Sequence, residues 1–171
     1  MAEQQPIVDF SLFDQSRVIA EKNEVQKYIP QRFEMSQLDG ILYEDVEALT
    51  LVGFKDTGPD EFWVRGHMPD FALMPGVIMC ESAAQLIAYM AGKNGFSETG
   101  IMAFGGIDNV RFRHFVRPGD RLTVMVRVRK LRRNAMVVCD FQGYVEKRPV
   151  VEGEIRGIVL PREAMQADPA S

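Results

Sequence analysis

The sequence predicts an α+β fold in which an antiparallel sheet of about five to six strands wraps around one long helix. The first observation is a nearly all-apolar stretch after Pro75, because a helix that is apolar on every side is normally buried. The second is the change after residue 100, where segments rich in β-branched residues alternate with turn residues. The third is the length of 171 residues, which suits one domain with its own core.

The start of the chain is predicted to hold an arm and a short helix. Residues 1–13 are interpreted as a loose or peripheral arm. In residues 14–28, Val18, Val25 and Tyr28 lie at roughly helical spacing. We therefore expect a helix over that stretch.

Two strands are predicted before the long helix. Residues 40–55 mix apolar and acidic side chains and predict one long strand. Residues 61–65 predict a short strand, and the sequence TGPD at 57–60 predicts the turn that joins the two.

The long helix is bounded by residues that are typical of helix ends. Pro75 suits the first turn, where its missing N–H costs nothing. Gly92 is a natural terminator, so we expect the helix to end at about Met90 or Ala91.

Four strands are predicted after the helix, and one of them has a clear period of two. Between residues 122 and 130, apolar side chains alternate with others, which indicates one buried face and one basic face. The four predicted strands span residues 101–108, 121–133, 135–147 and 150–160. The alternating pair of faces is Leu122, Val124, Val126 and Val128 against Thr123, Met125, Arg127 and Arg129.

We divide the chain into an N-terminal extension (1–24), one domain (25–161) and a C-terminal tail (162–171). The acidic start lacks a basic segment followed by an apolar core, so it does not resemble a secretory signal. The weakly charged run 71–92 is too polar for a membrane span. We therefore expect a cytoplasmic protein with no membrane span.

The composition limits the chemistry that is available. Two cysteines cannot build a disulfide scaffold or a four-thiolate zinc site, and two histidines leave few metal sites, so no metal is expected. Residues 111–133 contain nine basic side chains and one acidic side chain, which suits an acidic partner. A pI of about 5.3 is low for a protein that binds nucleic acid, so no nucleic-acid partner is expected.

Glu81 is unusual because it lies inside the apolar helix. A carboxylate there is costly unless it is paired, hydrogen-bonded or protonated. Gln85 lies one turn later on the same face and Ser82 is adjacent, so the three form a narrow polar stripe. Two interpretations remain open: the stripe only satisfies local hydrogen bonds in a crevice or at a subunit boundary, or it carries chemistry.

His67 lies in the segment VRGHMPDFALMPG, between a predicted strand and the helix. A lone histidine in a loop is more often a surface or packed residue than a catalyst, but His67 and Glu81 together flank the start of a helix. Free backbone N–H groups near Gly76 can hold a developing oxyanion there. A base, an acid and an oxyanion site are the groups needed to remove a proton next to a carbonyl and expel a β-oxygen.

The segment GHMPDFALMPGVIMCESAAQ resembles the active-site segment of the 3-hydroxyacyl-(acyl carrier protein) dehydratases, which have the hotdog fold. That family reads approximately G-H-F-P-x-x-P-V-M-P-G-V-x-x-x-E-A-x-A-Q, and the interval of fourteen from His67 to Glu81 is kept. FGGIDNVRFRHFVRPGDRL at 104–122 and YIPQRF at 28–33 resemble two further family segments. The resemblance covers roughly residues 24–160.

The resemblance implies a mechanism. His67 would remove the C2 proton of a 3-hydroxyacyl thioester, Glu81 would protonate the leaving 3-hydroxyl or hold the water that does, and the Gly76 amide would bind the thioester carbonyl. Gln85 and Pro75 would support these groups from behind. A glutamate rather than an aspartate favours the dehydration-only, FabZ-like branch. No cofactor is implied, since phosphopantetheine on an acyl carrier protein holds the substrate.

The resemblance also implies an assembly and marks departures from the family. Histidine and glutamate of one site come from different subunits, so we expect a homodimer, alone or as a trimer of dimers. Asp70, Phe71 and Ala72 stand where the family has Gly-Arg-Pro, and Gln31 stands where it has histidine. These positions lie near the family's catalytic loop and acyl tunnel, so the departures bear on chain-length preference and on activity.

The basic block has two interpretations. It either receives the acidic carrier protein and its phosphopantetheine arm, or it is the solvated face of a strand pair. The candidate docking residues are Arg111, Arg113, Arg117, Arg129, Lys130, Arg132 and Arg133.

Three functions are compatible with these observations. The leading hypothesis is dehydration of carrier-linked 3-hydroxyacyl thioesters to trans-2-enoyl thioesters in fatty-acid biosynthesis. The changes at Asp70 and Phe71 suggest a non-catalytic hotdog protein that binds acyl thioesters. A hotdog thioesterase is the third.

Overall fold

Seven strands form one antiparallel sheet in the computed structural model, which describes residues 5–165. Their order across the sheet is β1-β2-β3-β5-β6-β7-β4, so β1 and β4 are the edges. The α+β prediction is confirmed. The strands are β1 (Ala20–Glu21), β2 (Gly40–Asp45), β3 (Thr50–Asp56), β4 (Gly100–Phe112), β5 (Arg121–Arg132), β6 (Met136–Val145) and β7 (Arg148–Pro161).

One long helix, α2 (Gly76–Lys93), packs against one face of this sheet. Its central side chains, such as Leu86 and Tyr89, are fully buried, as the apolar sequence predicts. The other α-helix, α1, covers only Lys22–Val25. We call the face against α2 the inner face of the sheet.

The inner face carries the main core. Leu122, Val124 and Val126 of β5 point towards α2 and are completely or almost completely buried, which confirms the predicted alternation on that side. The predicted basic opposite face is wrong for the first half of the strand, because Thr123 and Met125 are also buried.

The N-terminal segment covers the outer face of the sheet. Residues 5–19, here called the arm, pack Val8 and its neighbours onto a second apolar cluster that contains Met125 and Tyr144. Gln142 accepts a hydrogen bond from the Ile7 amide at 2.7 Å and fixes the register of the arm. The cluster members are Val8, Leu42, Val52, Phe54, Met125 and Tyr144, with Ile7, Phe10, Phe13 and Tyr43 packed against them.

Of the two alternatives given for the arm, loose is therefore wrong for residues 5–13, which are peripheral but packed on the sheet. Residues 1–4 lie outside the described part of the chain. The helix predicted over 14–28 is also wrong, because only Lys22–Val25 is α-helical. The Ile19 amide instead donates to the Ile41 carbonyl at 2.8 Å, and the next two residues pair with β2 as β1. A short helix is marginal by itself, so pairing at the sheet edge prevails.

The strand predicted over 40–55 is a hairpin of β2 and β3. Asp45 Oδ1 accepts hydrogen bonds from the amides of Glu47 and Ala48 at 3.0 and 2.8 Å, and this turn reverses the chain. The strand predicted at 61–65 is wrong. That segment forms turns, and Glu61 reaches the buried ammonium of Lys55 at 2.7 Å.

The end of the chain is described to residue 165. The predicted tail 162–171 begins with a 3₁₀ turn at Arg162–Met165, and its remainder lies outside the described residues. Over residues 5–165, we find no helix with the length and apolar character needed to cross a membrane.

Candidate active site

The N-terminus of α2 lies against an aromatic ring that leaves room for glycine alone. A Cβ on Gly76 would come within 2.6 Å of the Phe112 ring, so a side chain there would force the helix away from β4. The Pro75 carbonyl accepts from the Ile78 amide at 2.9 Å and opens the helix. The Gly76 N–H belongs to the first four of the helix, which have no partner within it. An oxyanion donor is thus available at this position.

Glu81 lies one and a half turns further along α2 and is half-buried. Its Oε1 accepts a 2.7 Å hydrogen bond from Gln85 Nε2. Gln85 is itself fully buried and also donates to the Met35 carbonyl at 2.6 Å. Its Oε1 accepts from the Gln37 amide at 2.8 Å. Gln85 therefore fixes the carboxylate of Glu81 and ties the segment before β2 to the helix.

The Glu81 carboxyl group borders a cavity of about 200 Å³ between α2 and the strands β4 and β7. Most of its lining is apolar, including Ile87, Met102 and Ile155. Gln31 also lines it, and its Nε2 lies 3.5 Å from Glu81 Oε1. The site combines one held carboxyl group with an apolar space, which is what an acyl chain with a reacting oxygen near its head requires.

His67 lies on a narrow hairpin, residues 67–73, that precedes α2. The Leu73 amide donates to the His67 carbonyl at 2.8 Å, and the His67 ring Nδ1 lies 2.9 Å from the Leu73 carbonyl. A carbonyl can only accept, so Nδ1 must carry the proton in this contact. In the neutral ring, Nε2 then has a free lone pair on an exposed side chain, which suits a general base.

The hairpin is fixed at its base, where the Met74 amide donates to the Val116 carbonyl at 2.9 Å. Within residues 5–165, His67 does not line the cavity that Glu81 borders in the same chain. The structure therefore brings Glu81, Gln85 and Gln31 together and leaves His67 on a separate, exposed loop.

The edge strand β4 runs beside the site, and none of the strands in residues 5–165 pairs with its outer side. Three of its large apolar side chains, Phe104, Ile107 and Phe112, are 39% to 53% exposed. Val77, on the first turn of α2, is 70% exposed. An apolar edge of this kind is suited to pairing with another chain.

The seven candidate docking residues do not form one patch. Arg117 precedes β5 and Arg133 follows it, and a twelve-residue strand spans roughly 36 Å at about 3.3 Å per residue. Arg113 pairs with Glu152. Arg133 donates to the Asn94 and Gly95 carbonyls at 3.3 and 3.2 Å, at the C-terminus of α2.

The remaining members of the set are placed differently again. Arg129 lies 3.4 Å from both Asp140 and Glu154. Lys130 and Arg132 are exposed near the end of β5, and Arg111 is exposed near the end of β4.

Sequence reasoning missed the groups that hold the acid and the base. The carbonyls of Leu73 and Met35 and the amide of Gln37 are backbone groups, which no side-chain pattern reveals. Gln31 stands where the family pattern has histidine, and this departure is the sequence signal for its position beside Glu81.

Cys80 is adjacent to Glu81 in sequence, but its environment does not favour reaction. Burial raises the pKa of its thiol to about 11, so the thiol stays protonated near neutral pH. Within residues 5–165, no three His, Cys, Asp or Glu side chains come together as a metal site requires.

Comparison with known proteins assigns the chain to a family. A family model described as a FabA-like domain matches residues 29–154. A curated relative from Clostridioides difficile (strain 630), named 3-hydroxyacyl-[acyl-carrier-protein] dehydratase FabZ, is 36% identical over 135 residues, which cover 78% of this chain and 92% of the relative. A protein of the same name from Bacillus thuringiensis (strain Al Hakam) is 38% identical over 109 residues, 64% of this chain and 75% of the relative.

Two solved structures share the fold at low sequence identity. A chain of the dehydratase heterocomplex ApeI:P from Xenorhabdus doucetiae is 15% identical, with a TM-score of 0.68 over 88% of this chain and 97% of that one. The fluoroacetyl-CoA thioesterase FlK is 12% identical, with a TM-score of 0.58 over 68% and 89%. These likenesses confirm the hotdog fold. On the family match and the FabZ relatives together, the chain belongs to the FabA-like family of hotdog proteins, which includes the FabZ-type dehydratases.

Proposed function

We propose that this protein dehydrates 3-hydroxyacyl thioesters carried on an acyl carrier protein and forms trans-2-enoyl thioesters in fatty-acid biosynthesis. The observation that carries the proposal is Glu81, which the fully buried Gln85 holds at the edge of an apolar cavity. The FabZ relatives from two bacteria support the reaction and the substrate class.

Each group has one role in the elimination. His67 Nε2 takes the C2 proton, and the electron pair moves to the thioester carbonyl, whose developing negative charge the Gly76 N–H stabilises. The enolate then expels the 3-hydroxyl group, and Glu81 supplies the proton that turns it into water. C2–H and C3–O bonds break and a C2–C3 double bond forms, with no change in oxidation state that would need a cofactor.

A complete site requires two copies of the chain. The separation of His67 from the Glu81 cavity supports a homodimer in which each site takes one of these residues from each subunit. The exposed apolar edge of β4, beside Gly76 and Phe112, is where the second copy would add its strand. Light scattering distinguishes a single dimer from a trimer of dimers in solution.

The shared site has a direct test by complementation. The inactive variants His67→Ala and Glu81→Gln are mixed, partly unfolded and refolded together. They then form a heterodimer in which one of the two sites has both native residues. Activity should return to roughly a quarter of the wild-type value with random pairing. If each variant stays inactive in a verified heterodimer, the two residues belong to sites within single chains.

The reaction is tested with 3-hydroxyacyl thioesters of several chain lengths, on a carrier protein and on coenzyme A. We expect the ultraviolet absorbance of the 2-enoyl thioester to rise without release of free thiol. Thiol release without enoyl formation would identify a thioesterase. Binding by calorimetry without turnover at any chain length would identify a non-catalytic acyl-thioester-binding protein.

A further inference from the structure

An arginine side chain packs against two aromatic rings that contact each other beside the His67 hairpin. The Arg117 guanidinium carbon is 4.5 Å from the centre of the Phe71 ring and 4.6 Å from the centre of the Phe115 ring. The two rings meet edge to face, with their centres 5.8 Å apart. Both rings remain partly exposed, at 47% and 40%. We call these three side chains the arginine clamp.

One half of the clamp is rigidly mounted. The Arg117 amide donates to Asp120 Oδ2 at 2.8 Å, and its carbonyl accepts from the Thr57 hydroxyl at 2.6 Å. The turn continues through Gly119, whose φ of +96° favours glycine. Arg117 is thus fixed to the end of β3 and the start of β5.

The other half of the clamp belongs to the hairpin that carries His67. The Phe71 amide donates to the Met68 carbonyl at 3.0 Å, and the Met68 amide donates to the Phe71 carbonyl at 3.3 Å. Phe71 therefore cannot move without the residue next to His67. Most of this hairpin is exposed, so it lacks the buried contacts that would otherwise hold it still.

The Arg117 guanidinium is held by stacking on the Phe71 and Phe115 rings. Within the described residues 5–165, the hydrogen bonds of Arg117 involve its backbone and not its guanidinium nitrogens. A cation over the face of an aromatic ring is attracted by the ring quadrupole, and here two rings act on one cation. Phe71 stands where the family pattern has arginine, so here the hairpin presents an aromatic ring to Arg117.

We propose that Arg117 is a positioning residue that holds the His67 hairpin through Phe71. The proposal rests on the dehydration proposed above, because it assigns Arg117 to the orientation of the base. It gives Arg117 a role different from docking of the carrier protein. A shift of about 1 Å in a reacting group can lower the rate about 100-fold, so a loosened hairpin affects the chemical step.

Kinetics on two substrates separate positioning from docking. Arg117→Gln should lower kcat about 10-fold to 100-fold, with little change in KM, for both a carrier-linked and a coenzyme A-linked 3-hydroxyacyl thioester. A rise in KM confined to the carrier-linked substrate, with kcat unchanged, would assign Arg117 to docking and overturn the clamp.

The aromatic partner provides an independent check. Phe71→Leu should lower kcat to the same extent, and the double variant should lose little more, since both changes release one contact. Phe71→Tyr keeps the ring and should keep the activity. Losses that multiply in the double variant would contradict a common action. Arg148→Gln, an exposed arginine on the β6–β7 hairpin, is the matched charge control and should behave as wild type.

Amide hydrogen exchange tests the clamp without turnover. The Leu73 amide is bonded to the His67 carbonyl, so it should exchange faster in Arg117→Gln and Phe71→Leu but not in Arg148→Gln. Unchanged exchange in both clamp variants would overturn the proposal. If the exchange rates of the variants differ from wild type as expected but the wild-type protein forms no enoyl product, the dehydratase function is wrong and the clamp is still supported.

Discussion

The two faces of one sheet are covered in different ways, and strand β5 shows the contrast most directly. Leu122, Val124 and Val126 point to α2, and Thr123 and Met125 point to the arm, yet all five are buried. Helix α2, which covers the inner face, carries Gly76, Glu81 and Gln85. The arm, which covers the outer face, carries no residue of the proposed site.

The difference coincides with the limits of the family match. The FabA-like match spans residues 29–154, which includes α2 and leaves out the arm at 5–19. The same buried sheet thus separates two tasks: the inner face positions chemistry, and the outer face is stabilised by a segment outside the family match. Changes on the two faces should accordingly affect different measurements.

The largest expected effect is on the inner side. His67→Ala and Glu81→Gln should each lower kcat about 10²-fold to 10⁴-fold, because each removes a proton-transfer group. The exposed His67 ring contributes little to folding, so its removal should change the free energy of unfolding by no more than about 0.5 kcal/mol. Enoyl formation and urea denaturation measure the two effects. Nearly full turnover by Glu81→Gln would remove the inner face from the chemistry, and nearly full turnover by His67→Ala would remove the hairpin before α2 from it.

Two buried glutamines offer a matched pair across the sheet. Gln85→Leu leaves the Gln37 amide and the Met35 carbonyl without their partner, at a cost of about 1–3 kcal/mol each, and it releases Glu81. We expect lower stability and lower kcat.

Gln142→Leu makes the equivalent change on the outer face. It removes the acceptor of the Ile7 amide and of the Tyr144 hydroxyl, so stability should fall while kcat of the folded protein stays the same. If the outer variant lowers kcat as much as Gln85→Leu, the two faces are not functionally separate.

Removal of the arm tests the outer cover as a whole. A chain that begins at Ala20 exposes the apolar cluster around Met125 and Tyr144 and loses the burial of Val8 and Phe10. The free energy of unfolding should fall by about 2–4 kcal/mol. Burial of each such side chain contributes about 1.5–3 kcal/mol, and the entropy cost of ordering the arm in the full chain offsets part of that gain. Turnover per folded molecule should be kept. A loss of turnover with native stability would show that the arm acts on the site.

The sequence predicts the helix on the inner face much better than the arm on the outer face. The apolar run and its end signals predict α2, because a buried helix leaves a strong pattern. The arm is hidden from such reasoning. Its apolar residues have no period, and the outer surface that they cover is formed by strands from distant parts of the chain. Thr123 and Met125 were expected on an open face for the same reason.

The site divides in a similar way. The spacing from His67 to Glu81 and the polar stripe with Gln85 were visible in the sequence, and the structure confirms the Glu81–Gln85 contact. The hydrogen bond from His67 to the Leu73 carbonyl depends on backbone geometry in a loop, which residue types do not encode. The division of the basic block along β5 also becomes visible only when the strand is laid out in space.

The smallest effect concerns one phenol on the outer face. Burial, and next the nearby Glu152 carboxylate, raise the pKa of Tyr144 from 10.0 to about 12. The neutral phenol therefore stabilises the fold fully below pH 10, and this contribution is lost as the pH rises through about 12. In the chain that begins at Ala20, water reaches the ring and the pKa should move back towards 10.

Ultraviolet titration of tyrosinate in the full and the truncated chains measures this shift, and Tyr144→Phe in each chain identifies the absorbance that belongs to Tyr144. A pKa that stays near 12 without the arm would mean that the sheet alone buries the phenol. The arm would then contribute little to the burial of Tyr144, because the ring would stay inaccessible to water without it. A pKa that falls would tie the burial of the outer face to the arm, independently of any measurement of global stability or of catalysis.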